Sequence, residues 1–92
     1  MAQVVITLKV MPESPEVNLN EIKDKIIKDI KEFTGETETK LEEEPIAFGL
    51  KALKIIFVME ESKGSTEELE KKIKEIEGIN SVEVVDVRRA IG

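Results

Sequence analysis

Ile55-Ile56-Phe57-Val58-Met59 has no polar side to offer to water, and this is the tightest constraint on how the chain folds. Successive side chains of an extended segment point to opposite faces, so an unbroken apolar run needs cover on both. It is therefore read as a central strand within Ala47 to Glu60, the most apolar stretch of the sequence. Val4 to Met11 is a second strand. Val4, Ile6, Leu8 and Val10 alternate on one face, and Val5 adds apolar character to the other.

Pro12 and Pro15 punctuate the loop that follows. A helix start comes next: Asn18 as N-cap, Glu21 as its capping-box partner, and Val17 with Ile22 as a hydrophobic staple. Leu19, Ile22, Ile26, Ile30 and Phe33 recur at helical spacing, and Gly35 ends the helix. Glu36 to Glu44 alternates weakly, with Thr37, Thr39 and Leu41 on one face. Its acidic residues mark an edge strand protected from unwanted pairing, which Pro45 interrupts. Gly64 opens a second helix with Ser65 as N-cap and Glu68 as capping partner; Leu69, Ile73 and Ile76 form its stripe, and Gly78 closes it. Val82 to Val87 is the last strand.

The order β-α-β-β-α-β defines an α+β fold, the ferredoxin-like sandwich. Both amphipathic helices cover one face of a four-stranded antiparallel sheet of order 4-1-3-2, which puts the two most apolar strands in the middle. Residues 1–92 are read as a single domain. The other face of the sheet is left to solvent or a partner.

The chemical inventory narrows function. Histidine, cysteine, tyrosine and tryptophan are all missing, so the usual general base, thiolate zinc sites and disulfides are excluded. No catalytic residue, cofactor or metal site is expected, and the protein is not read as an enzyme. A net charge of −6 argues against a nucleic-acid surface. The first residues become polar too soon for a signal peptide or a membrane span, so a cytoplasmic location is expected. Abundant Lys and Glu with few amides lean towards a thermophilic source.

Five signals bear on binding. Lys63-Gly64-Ser65-Thr66 has the wrong order for a phosphate loop and reads as turn and cap chemistry. Glu42-Glu43-Glu44, with Glu60-Glu61 taken to lie nearby, lacks the spacing of a calcium site and reads as a solvated acidic edge. RNA-recognition domains share this order but stack bases on aromatics of their first and third strands. Here the first strand has none, and Phe48 and Phe57, nine apart, would fall on opposite faces. Phe48, beside Gly49, reads either as core packing at a strand start or as an exposed anchor for a protein partner. Finally, the only two arginines, Arg88 and Arg89, stand together near the end among twelve lysines elsewhere. They either keep a strand end soluble or form a contact, since a guanidinium is a rigid fork suited to carboxylates.

Four blocks resemble the archaeal translation elongation factor 1-beta family from end to end: Lys9 to Pro15, Glu44 to Leu53, Ile76-Glu77-Gly78 and Asp86 to Arg89. The resemblance implies the same fold and a guanine nucleotide exchange factor for the GTPase elongation factor 1-alpha. It further implies partner contacts at Phe48, Gly49, Lys51, Arg88, Arg89, Ala90, Ile91 and Gly92. In eukaryotic relatives the matching phenylalanine and the C-terminal tail lie near the magnesium site of the GTPase, and a lysine near the C-terminus disturbs that site. That lysine has no counterpart here, since the basic residues beyond Asp86 are Arg88 and Arg89. The expectation is that the tail still wedges beside the magnesium site, with Arg88 or Arg89 supplying charge or anchoring to switch carboxylates and Ala90 to Gly92 as the probe. The relatives' N-terminal extensions have no counterpart, which implies a bare exchange domain. The alternative from another class is a ferredoxin-like small-molecule-binding regulatory module, whose glycine-rich loop after the first strand is not seen in Met11 to Pro15.

Overall fold

A four-stranded antiparallel sheet and two α-helices form over residues 3–35, 38–63 and 66–90, those that the computed structural model describes. The elements are β1 (Gln3–Pro12), α1 (Leu19–Thr34), β2 (Thr39–Pro45), β3 (Lys51–Glu60), α2 (Glu67–Lys74) and β4 (Ile79–Ala90). Short 3-10 turns lie at Ala47–Gly49 and Glu61–Lys63. The strand order β2-β3-β1-β4 is the expected 4-1-3-2, with β1 and β3 inside.

Alternation sets the core. Ile6, Leu8 and Val10 of β1 and Leu53, Ile55, Phe57 and Met59 of β3 are buried towards the helices. Ile22, Ile26 and Ile30 of α1 and Leu69 and Ile73 of α2 meet them. Each such side chain contributes about 1.5–3 kcal/mol on leaving water. Asn18 caps α1, its Oδ1 accepting from the backbone N–H of Asn20 at 3.0 Å and of Glu21 at 3.3 Å.

Several boundaries differ from the sequence reading. Pro12 and Pro45 are the last residues of β1 and β2, where a missing N–H costs little. Ala47-Phe48-Gly49 is a 3-10 turn outside β3, so the parity that set Phe48 and Phe57 on opposite faces does not apply. The N-cap of α2 is Thr66, whose hydroxyl donates to Glu70 at 3.0 Å; the expected cap Ser65 lies outside the described residues. This helix ends at Lys74, not at Gly78, with three glutamates in its first turn and three lysines in its last opposing the backbone dipole. Ile76 falls in the turn beyond it and still packs on the core.

Strand β4 shows the largest difference, running twelve residues to Ala90 rather than stopping at Val87. Backbone pairing with β1 does not depend on side-chain polarity, so an edge strand continues through arginines as readily as through valines. Between Leu8↔Val84 and Thr7↔Asp86 the register skips Val85, a β-bulge.

Candidate partner-binding site

The residues singled out in the sequence fall into two groups at opposite ends of the sheet. At one end, the β2–β3 connection closes tightly: the N–H of Ile46 donates to the Leu50 carbonyl at 2.8 Å, around the turn holding Phe48. Gly49 adopts φ 75°, a left-handed conformation that a β-carbon disfavours. Gly49 and the exposed Lys51 form one wall of a cleft of about 340 Å³. The other wall is the β1–α1 loop with Pro15 and Val17.

That loop is itself tied down. The N–H of Glu13 donates to the Gly78 carbonyl at 2.9 Å, and a β-carbon on Gly78 would lie 3.0 Å from Val17 Cγ1. Three of the four blocks that carry the resemblance therefore meet at this end. The loop wall carries one block of the resemblance but was not among the partner contacts expected from the sequence.

Arg88 and Arg89 lie at the other end, inside β4. Arg88 pairs in register with Val5 and Arg89 with Val4. Because Val4 packs on the core, Arg89 is on the helix side and Arg88 on the open side of the sheet. Arg88 Nε donates to Asp86 Oδ2 at 2.8 Å, two residues back on the same face. Arg89 Nη2 donates to Glu61 Oε1, in the turn after β3. Period-two spacing makes the Asp86 partner legible in sequence; Glu61, 28 residues from Arg89, leaves no such signal. Both guanidiniums remain largely exposed, at 78% and 67% of the side chain.

Val58 shares a row with Val5 and Arg88, and Lys51 precedes it by seven residues, so the two groups are separated by about 23 Å along the strands. They do not form one patch. Ala90 pairs with Gln3, while Ile91 and Gly92 lie outside the described residues.

The acidic residues also separate. Glu42 pairs with Lys54 of β3, whereas Glu60 is at the far end of that strand, so Glu42 to Glu44 and Glu60-Glu61 are not neighbours. Among the described residues no group of three acidic side chains is placed to hold a metal ion. Nor is any helix among them long and apolar enough to cross a membrane.

These features define a ferredoxin-like α+β domain, with the residues singled out from the sequence in two groups at the ends of its sheet. Residues 5–90 match the family model described as the EF-1 guanine nucleotide exchange domain, and the chain belongs to that family. It is 48% identical to elongation factor 1-beta of Methanothermobacter thermautotrophicus over 97% of this chain and 98% of that one. Elongation factor 1-beta of Staphylothermus marinus is 47% identical over 97% and 98%. A de novo designed protein, Foldit4, shares the fold with a TM-score of 0.65 at 17% identity, covering 98% of each chain.

Proposed function

We propose that this protein promotes exchange of GDP for GTP on elongation factor 1-alpha, in the cytoplasm, as a single domain without covalent chemistry. The observation that carries this reading is the family match across residues 5–90, joined to relatives named elongation factor 1-beta that align along nearly their whole length. A translational GTPase holds GDP through its phosphate loop and Mg²⁺. The exchange factor binds the nucleotide-free GTPase better than the GDP-bound one, and by linkage each ligand weakens the other by the same ratio. A thousandfold effect requires about 4 kcal/mol of differential contact. GTP then refills the site and the factor leaves.

Partner contacts are assigned to both ends of the sheet. Phe48, Gly49 and Lys51 anchor one end. Arg88 and Arg89, with Ala90 to Gly92, engage the GTPase beside its nucleotide site at the other. With about 23 Å between the groups, a single GTPase has to be touched at two separate places. Both arginines already have carboxylate partners, Asp86 and Glu61, which a switch carboxylate of the GTPase would have to displace.

The test is a chase experiment. GTPase loaded with fluorescent GDP is mixed with excess GTP and a substoichiometric amount of this protein, and accelerated loss of fluorescence is expected. An unchanged release rate would sink the reading.

A further inference from the structure

The face of the sheet turned away from the helices carries two lysines in a costly arrangement. Lys9 of β1 and Lys54 of β3 stand directly opposite one another, both half-buried. Like charges facing each other across a strand pair destabilise a sheet. Their row reads Glu42, Lys54, Lys9, Glu83 across the four strands, which offers neutralisation at the edges. Glu42 is instead paired with Lys40 at 3.5 Å, and the ion pairs seen among the described residues include neither Lys9 nor Lys54.

The next row places Ile56 and Thr7 beside them, Thr7 being only 9% exposed in a sheet face that neither helix covers. Together with Val85 and Asp86 at the β4 edge, these residues line a shallow depression of about 440 Å³. It lies between the two ends that carry Lys51 and Arg88. Positive charge is at the centre and negative charge at the edges, with Ile56 and Val85 as its apolar part.

We propose that the partner GTPase lies across this open sheet face, and that Lys9 and Lys54 receive a carboxylate from it. The complementary segment has an acidic residue set among apolar ones, with basic residues outside them to meet Glu44 and Asp86. An incoming carboxylate relieves the Lys9–Lys54 repulsion only in the complex, which turns a folding cost into binding selectivity. This rests on the exchange-factor reading and adds the face that is used.

The experiment maps backbone amide shifts of the full chain on addition of nucleotide-free GTPase, and compares a Lys9→Gln/Lys54→Gln variant with a Lys25→Gln/Lys74→Gln variant of equal charge on the helices. Shifts are expected at Thr7, Lys9, Lys54 and Ile56. The sheet-face variant should lose about tenfold in affinity and in exchange rate, while unfolding at the same or higher denaturant concentration. The helix variant should exchange as wild type does. Wild-type exchange with shifts confined to α1 and α2, or with both variants equally active, overturns this proposal alone. No binding by the wild type overturns the exchange reading and this inference with it.

Discussion

Gly78 joins the turn after α2 to the β1–α1 loop, and its backbone leaves little choice of residue. At φ 97° a β-carbon is strained, and it would press on Val17 at 3.0 Å. Gly78→Ala is expected to lower the unfolding free energy by about 1–3 kcal/mol, read from urea titration. Asp29 offers the opposite sign. Burial raises its pKa above the ordinary 3.8, against the weaker pull of Lys72. The folded state thus holds this proton more tightly than the unfolded chain, so its contribution to stability is present at low pH and fades as pH rises through the raised value. At neutral pH the ionised carboxylate is a cost. Asp29→Asn should therefore raise the melting temperature at pH 7, with the gain shrinking as pH falls through the raised value and gone below the ordinary 3.8. The arginines divide by face. With the GTPase on the open side, Arg88→Ala slows exchange in the fluorescent-GDP chase more than Arg89→Ala does, and neither shifts the melting temperature appreciably, because exposed ion pairs contribute little.

Among the elements, α1 was the most legible in sequence. Asn18, the isoleucine stripe and Gly35 all agree, and local chemistry decides all three. Asn18→Ala should remove about 1 kcal/mol from stability, measured by the midpoint of denaturant unfolding. β1 and β3 were equally clear, since burial of alternate residues writes a period into the sequence. The extent of β4 was not. Its last residues are held by main-chain pairing to β1, which has no side-chain signature, and the skipped Val85 breaks the alternation that would have revealed their faces. The start of α2 was displaced because Ser65 and Thr66 are chemically similar caps, and only the geometry of the turn chooses between them. Likewise Phe48 followed an apolar run into β3 on paper, while Gly49 at positive φ takes the chain through a turn first.

For the molecule as a whole, the blocks of resemblance picked out candidate residues but not their arrangement. Separation by about 23 Å depends on strand register, which one sequence does not contain. The principal extents of 42 × 21 × 19 Å describe an elongated body, and the contacts proposed at Lys51 and Arg88 stand far apart on it. Such distance predicts independence. Lys51→Glu and Arg88→Ala each slow nucleotide release, and in the double variant their effects on the logarithm of the rate should add within about 0.5 kcal/mol.

The bulge at Val85 bears on how the protein behaves among many copies of itself. β4 is a long free edge, with Val85 at 44% and Val87 at 58% exposure, and lacks the glutamate run that guards β2. The extra residue bends that edge out of the flat geometry that a neighbouring strand requires. Deleting Val85 would join Leu8↔Val84 and Thr7↔Asp86 into a regular ladder and leave every later residue on its present face. The shortened protein is expected to fold, yet to scatter light increasingly with concentration where the parent stays clear. One valine thereby sets an upper bound on how crowded a solution of this protein can become before its sheets begin to join.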